Sequence, residues 1–229
     1  MNILCVIPVR GGSKGVPGKN LRPVAGKPLV SWSIAHAVGS TTPMRVIVST
    51  DSEEIAMVAR EAGAEVPFLR PAELATDTAP TEPTVIHAIE WVRNEGWEPD
   101  LVVLLQATSP IRSEHSIDRA IAQLRAEDAD SLVGVVPSSP FLWHSGQPPV
   151  ADYPVDARPR RQDMTEAMIP LRETGSLYVT RTRIYDEQSN RLGGTVSLFV
   201  MDEREGLDID THVDLVIADS LLSMPRSDE

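Results

Sequence analysis

The sequence predicts a three-layer α/β fold with a mainly parallel sheet, contained in a single domain of residues 1–229. Short apolar runs alternate with segments of helical periodicity along most of the chain. Glycine-rich or polar turns follow several of these runs, and the run from Asp100 to Leu105 is almost continuously apolar, as in a strand covered on both faces. Parallel sheets bind ligands beyond the carboxyl ends of their strands, so the turns after these runs form the candidate site.

The first half of the chain predicts three strands and three helices in alternation. Pro28 suits the first turn of the first helix. Thr50, Asp51 or Ser52 suits the cap of the second helix. The predicted elements are a strand at 3–9, a helix at 28–38, a strand at 45–49, a helix at 53–62, a strand at 66–69 and a helix at 82–94.

The second half continues the alternation and then interrupts it. Prolines recur between about residues 138 and 175, where no helical period is visible. Irregular segments of this length in a compact domain are usually functional or interfacial. The predicted elements are a strand at 100–105, a helix at 113–124, strands at 131–137, 173–178 and 195–201, and a helix at about 212–222.

Composition excludes several classes of function. The net charge is -12 and the isoelectric point is near 4.9, which argues against nucleic acid as a partner. The single cysteine, Cys5, excludes an intrachain disulfide and a cysteine-based metal site. The first apolar run is too short for a signal peptide or a membrane span, so we expect a cytoplasmic protein with no membrane partner.

The loop after the first strand is the most basic segment of this acidic chain. All three lysines lie between Lys14 and Lys27, and Arg10 opens the loop. Its glycines allow backbone N–H groups to approach a ligand, and together with the cationic groups they suit a polyphosphate. The spacing matches neither a P-loop nor a dinucleotide-binding motif. The alternative interpretation is a tight strand-to-helix turn that is basic without binding anything.

Two carboxylates stand close together near the other end of the chain. In an extended segment Asp208 and Asp210 project to the same side, where they repel unless a cation or a basic group separates them. Carboxylate oxygens together with a triphosphate suit Mg²⁺, which keeps substrate oxygens and water in its coordination shell. The alternative is a helix N-cap formed by Asp210 or Thr211.

These segments carry a resemblance to a known family. The run Arg10-Gly-Gly-Ser-Lys-Gly-Val-Pro-Gly-Lys-Asn20 resembles the N-terminal signature of the acylneuraminate cytidylyltransferases, the CMP-sialic acid synthetases. The resemblance returns at residues 70–81, 105–110, 159–163 and 173–178, and at the acidic pair near the end. It implies a Rossmann-like nucleotidyltransferase fold and a homodimer, in which residues 138–175 form a dimerisation arm that reaches the partner's active site.

The family resemblance also implies an activity, in which CTP and a sialic-acid-like nonulosonic acid give CMP-sugar and pyrophosphate. It assigns catalytic roles to Lys19, Arg160 and Arg161, and the two arginines would hold the substrate carboxylate. The implied nucleotide-binding residues are Arg10, Gly11, Ser13, Lys14, Asn20, Arg70, Thr81 and Gln106. The implied sugar-binding residues are Gln106, Arg160, Arg161 and Tyr178, and the implied ligands of the Mg²⁺ cofactor are Asp208 and Asp210.

The chain departs from the family pattern in places that concern the acceptor. Thr174 stands where asparagine is frequent, and Leu142 stands where some relatives carry lysine. A solvated basic turn is the alternative interpretation of the arginine cluster at 158–161. Two other functions stay open: a cytidylyltransferase for another acidic acceptor, such as an octulosonic acid or a phosphonate, and a nucleotide-binding regulatory module without turnover. Residues between Gln106 and Gly194 would set the identity of the acidic sugar.

Overall fold

A six-stranded sheet organises the computed structural model, which describes residues 1–12 and 15–224. The strands are β1 (Ile3–Pro8), β2 (Pro23–Val24), β3 (Lys27–Pro28), β4 (Arg45–Ser49), β5 (Leu101–Leu105), β6 (Ser131–Pro137), β7 (Trp143–His144), β8 (Val150–Ala151), β9 (Leu171–Arg181) and β10 (Val196–Val200). The α-helices are α1 (Leu29–Val38), α2 (Glu53–Glu61), α3 (Glu82–Asn94), α4 (Ser116–Ala126), α5 (Thr182–Gln188) and α6 (His212–Ser223).

The order of the central sheet is β10-β6-β9-β5-β1-β4. Strand β1 is parallel to β4 and β5, and β10 is parallel to β6. Strand β9 is antiparallel to both of its neighbours, β5 and β6. The carboxyl ends of the parallel strands therefore meet the amino end of β9 at one edge. This arrangement confirms the predicted mainly parallel α/β sheet.

The core has one apolar cluster on each face of this sheet. Because side chains alternate along a strand, Cys5 and Ile7 of β1 pack on the side of α1, α2 and α4. Leu4 and Val6 pack on the opposite side, with α3 and α5. Both faces of the sheet are thus covered by helices, and the predicted three-layer architecture is confirmed. Among the described helices, none combines the length and apolar character that a membrane span requires.

Two predicted elements differ from the structure. The strand predicted at 66–69 is wrong, because only Glu65 forms a bridge with Ile47 and the chain then leaves the sheet at Pro67, which has no N–H to donate. The helix predicted from Ser113 begins at Ser116 instead. The backbone N–H of Ser113 donates to the buried Glu205 carboxylate at 2.7 Å, which fixes Ser113 before the helix starts. Helix α5 is an element that the sequence pattern does not predict.

The irregular region is an excursion between β6 and β9. It contains β7, β8 and three short 3₁₀ turns. Phe141 and Trp143 contact the Tyr153 ring edge-on, and the Arg158 guanidinium lies 4.2 Å from the centre of the Phe141 ring. This aromatic cluster gives the excursion a small core of its own. Its predicted role as a dimerisation arm stays a prediction.

Asp118 ties α4 to the loop that follows α1. Its carboxylate accepts hydrogen bonds from the hydroxyls of Ser40 (2.7 Å) and Thr42 (2.6 Å) and from the backbone N–H of Thr42 (2.8 Å). Burial disfavours the charged carboxylate, but these hydrogen bonds outweigh it and hold the pKa of Asp118 well below its usual range. The ionised side chain therefore contributes to stability.

We expect Asp118→Ala to lower the free energy of unfolding by about 1–3 kcal/mol near neutral pH, because several donors lose their acceptor. The folded-state pKa is depressed, so this contribution is complete above the pKa of the unfolded chain and is lost as the pH falls through the folded value. Urea unfolding at about pH 7 and below about pH 4 measures the effect. A difference between variant and parent that is the same at both pH values would contradict it.

Candidate functional site

A cavity of about 480 Å³ opens at the carboxyl edge of the sheet. Loops after β1 and β5, the segment before α3 and the acidic segment before α6 form its walls. The predicted residues that line it are Arg10, Lys19, Asn20, Arg70, Thr81, Gln106 and Asp210. Its size suits a small-molecule ligand. The structure thus brings together most of the predicted nucleotide-binding set.

Lys19 connects the basic loop with the acidic segment. Gly18, at φ 64°, starts a short 3₁₀ turn that directs the Lys19 side chain inward. The Lys19 ammonium donates to the Ile209 carbonyl and lies 3.4 Å from the Asp210 carboxylate. Gly15 packs so tightly that an added Cβ would overlap with the Asp210 carbonyl oxygen. Residues 190 positions apart in sequence therefore share one wall of the cavity.

Arg70 places a buried positive charge in the cavity wall. Its guanidinium donates to the Thr84 hydroxyl at 3.4 Å and lies 3.7 Å from the Asp51 carboxylate. Its Nε and Nη2 atoms are buried without a hydrogen-bond partner. Burial lowers the pKa of Arg70, and the attraction of Asp51 offsets this in part. Unpaired buried donors are costly, so this guanidinium suits an anionic or acceptor-rich ligand.

Asp51 is a site residue that the sequence pattern treats only as a helix cap. Ser52 takes the capping role, since its hydroxyl accepts from the N–H of Ile55. Asp51 instead accepts the backbone N–H of Gly11 at 2.9 Å, while facing Arg70. The Gly11 amide is therefore engaged within the protein, and Gly11 does not line the cavity. The position of Asp51, two residues after the end of β4 at the carboxyl edge, is the signal that points to it.

The Arg10 and Asn20 side chains pin the two ends of the basic loop. Arg10 donates to the Thr76 carbonyl at 3.1 Å and pairs with Asp77 at 2.9 Å, which joins the loop to the segment before α3. Asn20 donates to the Arg10 carbonyl at 3.1 Å. Its side-chain oxygen is buried without a hydrogen-bond partner. The predicted residues Ser13 and Lys14 lie outside the described residues.

Gln106 lies where β5 ends, against the start of β9. An added Cβ on Gly175 would lie 2.7 Å from the Gln106 Oε1 atom, so these two residues are in direct contact. Tyr178, three residues after Gly175 in β9, is buried and donates to the Glu173 carboxylate. It does not line the cavity. The structure thus places Gln106 at the cavity and Tyr178 outside it, hydrogen-bonded to Glu173.

The acidic segment follows the predicted alternation. Ile209 is fully buried, and its N–H donates to the Thr108 carbonyl at 2.9 Å. Asp208 accepts from the Ser109 hydroxyl at 3.5 Å, whereas the Asp210 side chain is 79% exposed at the cavity. The capping role falls to Thr211, whose hydroxyl accepts from the N–H of Asp214.

The fit of these carboxylates to Mg²⁺ rests on their chemistry. Within the described residues, no group of three or more acidic, histidine or cysteine side chains forms a metal site by itself. Mg²⁺ commonly takes one or two carboxylates and completes its shell with phosphate oxygens and water. Asp210 lines a cavity with cationic walls and Asp208 lies two residues before it in the same extended segment, so the donor set fits a metal that arrives with a phosphate ligand.

The predicted carboxylate-binding arginines lie apart from the cavity. Arg160 and Arg161 are exposed in the excursion, and neither lines the cavity. Arg160 forms a two-pronged ion pair with Asp163, at 2.5 and 3.1 Å. A role for either arginine at the cavity of this chain therefore requires the excursion of a second copy or a rearrangement.

Comparisons with known proteins agree on one family. A family profile described as cytidylyltransferase matches residues 4–183. The chain is 36% identical over 229 residues to the CMP-N,N'-diacetyllegionaminic acid synthase of Legionella pneumophila, covering 98% of this chain and 97% of that one. It is 34% identical over 225 residues to N-acylneuraminate cytidylyltransferase A of Danio rerio, covering 95% of this chain and 50% of that one.

A solved structure supports the fold. The chain is similar to a CMP:2-keto-3-deoxy-manno-octonic acid synthetase complexed with CTP, with a TM-score of 0.72. The two chains are 17% identical, and the similarity covers 97% of this chain and 99% of the other. At this identity the similarity concerns the architecture alone.

Proposed function

Because the chain belongs to the cytidylyltransferase family, we propose that it transfers CMP from CTP to the anomeric hydroxyl of a sialic-acid-like nonulosonic acid. The observation that carries this proposal is the contact of Lys19 with Asp210 in a cavity that also holds the buried Arg70. Two cations and a carboxylate around one cavity suit a triphosphate with its metal ion. The relatives with nearly equal chain length act on acidic sugars of this class by name.

The proposed reaction is an in-line displacement at the α-phosphorus. The anomeric oxygen forms a bond to that phosphorus, the bond to the oxygen bridging to the β-phosphate breaks, and pyrophosphate leaves while the hydroxyl proton is released. Such transfers depend on positioning and on neutralising charge rather than on covalent help from the protein. In this proposal Lys14 and Lys19 contact the phosphates, and Arg10, Asn20, Arg70 and Thr81 hold the nucleotide, with Gln106 between nucleotide and sugar.

We propose Mg²⁺ as the cofactor, held by Asp208 and Asp210 together with oxygens of the triphosphate. When bound, the metal ion supplies charge neutralisation and lowers the pKa of a hydroxyl that it contacts. Lys19 then has two functions in the protein. It joins the basic loop to the acidic segment by pairing with Asp210, and it offers its remaining N–H donors to the substrate.

We further propose that the chain acts as a cytoplasmic homodimer, in which the excursion of one copy completes the site of the other. Exposed apolar side chains on the excursion, including Leu142, Trp143 and Val150, support an interface there. Arg160 and Arg161 do not line the cavity of their own chain, which supports a contribution in trans.

Replacing both Arg160 and Arg161 with alanine is expected to raise KM for the acidic sugar by about 10- to 100-fold, the scale for losing charged hydrogen bonds. KM for CTP should stay near the parent value. The control is Arg125→Ala, which removes an exposed arginine of α4. Equal increases in both KM values would contradict the assignment.

A mixing experiment tests whether the arginines act across the dimer. Lys19→Ala and the double arginine variant should each be weakly active alone. After subunit exchange at equal amounts, mixed dimers contain one intact site, so activity should recover to about a quarter of the parent. Activity that stays at the level of the two separate variants would place all of these residues in one chain's site.

Pyrophosphate release from CTP across a panel of acidic sugars tests the proposed function itself. The panel contains N-acetylneuraminic, N,N'-diacetyllegionaminic, pseudaminic and 2-keto-3-deoxy-manno-octonic acids, and a reaction without sugar is the blank. We expect release with at least one nine-carbon acid and formation of its CMP conjugate. Release with the eight-carbon acid alone would replace the proposed acceptor. Tight CTP binding without release with any sugar would support a regulatory module instead.

A further inference from the structure

Arg112 is a buried arginine that the proposed chemistry does not use. Its residue is 4% exposed, in the loop between β5 and α4. No carboxylate forms a hydrogen bond with its guanidinium among the described contacts, and burial lowers its pKa to about 10. Burying a cation that no carboxylate hydrogen-bonds costs free energy, and the hydrogen bonds of the guanidinium to neutral groups must offset that cost.

The hydrogen bonds of Arg112 lie where two strands stop pairing. The β5–β9 ladder ends with Leu105 opposite Leu177. The next residue on each strand, Gln106 and Ser176, points its carbonyl at the Arg112 guanidinium. The Nη2 group donates to the Gln106 carbonyl at 3.2 Å and to the Ser176 carbonyl at 2.6 Å. Arg112 therefore continues the connection between the strands by one step beyond the ladder.

The β9 side of this connection is an irregular segment that needs such support. The register between β6 and β9 shifts between Val133 and Val135. Residues 174–176 lie in this irregularity, where Gly175 has φ 70°. The Thr174 hydroxyl donates to the Gly134 carbonyl at 3.0 Å and accepts the N–H of Ser176 at 3.1 Å. Side chains thus replace the ladder hydrogen bonds that the shift removes.

A second connection reaches α1 through Ser33. The Nη1 group of Arg112 donates to the Ser33 hydroxyl at 3.0 Å, and that hydroxyl donates to the Gln106 carbonyl at 3.1 Å. Ser33 is fully buried. The backbone of Gln106 is therefore held from two directions, while its side chain contacts Gly175 and lines the cavity.

We propose that Arg112 is the positioning residue for the acceptor wall of the cavity, because it locks Gln106 and the segment 174–176 into one rigid unit. This inference rests on the proposed function, in which Gln106 lies between the nucleotide and the acidic sugar. Arg112 touches neither substrate in this role. It acts by fixing where the Gln106 side chain and the start of β9 meet the sugar.

Kinetics of Arg112→Met test the proposal, with the sugar from the panel that gives the highest kcat/KM. We expect kcat/KM for that sugar to fall by about 10- to 100-fold, the scale for displacing a contact by about 1 Å. The Kd for CTP, measured by calorimetry, should change by about twofold or less, since Gln106 is only one of the proposed nucleotide contacts and the phosphates are held elsewhere. Arg112→Lys should recover part of the loss, because an ammonium reaches one carbonyl but does not bridge both in a fixed plane.

Two further variants separate positioning from general stability. Ser33→Ala removes only the second connection and should shift the sugar kcat/KM in the same direction by a smaller factor. Arg93→Met is the matched control, because Arg93 has strong ion pairs with Glu98 and Asp186 at the far end of α3. It should lower stability and leave the sugar kcat/KM and the CTP affinity unchanged.

Hydrogen exchange gives a readout that does not depend on turnover. Arg112→Met should speed amide exchange in the segments 106–112 and 172–177, while exchange in α2 stays at the parent rate. Any one of three results would overturn the proposal. The first is an unchanged exchange rate in segments 106–112 and 172–177, and the second is an unchanged sugar kcat/KM in both Arg112→Met and Ser33→Ala. The third is a loss of CTP affinity as large as the loss in sugar kcat/KM. Failure of the parent protein to release pyrophosphate with any sugar would contradict the proposed function. The exchange result would still show whether Arg112 holds the two segments together.

Discussion

Lys19→Ala is expected to lower kcat for CMP transfer by about 10² or more, the scale for removing one donor that stabilises charge in the transition state. The Lys19 side chain is 10% exposed and its ammonium already lies between the Ile209 carbonyl and the Asp210 carboxylate. Its position is thus fixed before a nucleotide binds. A fixed cation loses little free energy to reorganisation when negative charge develops on the phosphates.

The control for this variant is Lys27→Ala. Lys27 comes from the same N-terminal region but lies 4.9 Å from the centre of the Trp32 ring, outside the cavity. It should keep the parent turnover. Single-turnover measurements at saturating CTP, with thermal unfolding of each variant, separate lost chemistry from lost folding. A well-folded Lys19→Ala protein with nearly normal turnover would remove Lys19 from the proposed mechanism.

The layered fold could be predicted because each central strand buries both faces and each helix buries one. The runs at β1, β4 and β5 are short, apolar and followed by polar turns, which is sufficient to place them in a parallel sheet. The direction of β9 could not be predicted, since an apolar strand reads the same whether it runs parallel or antiparallel to its neighbours. The excursion before β9 lets the chain turn back, and its path depends on tertiary contacts.

The residues of the candidate site also differ in whether local sequence is sufficient to predict them. Arg10, Lys19 and Gln106 directly follow strands or glycine-rich turns, so the sequence places them at the carboxyl edge. Asp51 and Arg112 escape prediction because their partners lie 40 and 64 residues away, at Gly11 and Ser176. From local sequence alone, a charged residue beside a helix start resembles a cap or a surface group, because its partner lies in a distant segment.

The error at residues 66–69 has a related cause. Val66 is buried and Phe68 packs on the rings of His87 and Trp91, so the segment has the composition of a strand. Pro67 ends the pairing after Glu65, however. Val66 packs in the apolar cluster on the side of α1 and α2, and Phe68 packs in the cluster on the side of α3. Apolar composition reports burial, and burial alone does not require a strand.

Asp210→Asn is expected to raise the Mg²⁺ concentration for half-maximal activity by about 10-fold or more, since removing even an outer-shell partner of a metal ligand has effects of this size. The amide keeps the shape of the side chain but removes the charge that a hard cation prefers. The Lys19 ammonium, 3.4 Å away, also loses its neutralising partner, so the affinity for CTP without metal should not fall. A Mg²⁺ titration of turnover and a metal-free CTP titration measure the two effects separately.

Two aspartates serve as comparisons for this variant. Asp208→Asn should also raise the Mg²⁺ concentration for half-maximal activity, because Asp208 belongs to the same extended segment beside Ser109. Asp219→Asn should leave it unchanged, because the Asp219 carboxylate accepts the N–H of Ala25 at 2.7 Å and does not line the cavity. If Asp210→Asn gave the parent Mg²⁺ titration with reduced turnover, the carboxylate would act through Lys19 alone. The proposed metal would then need other ligands.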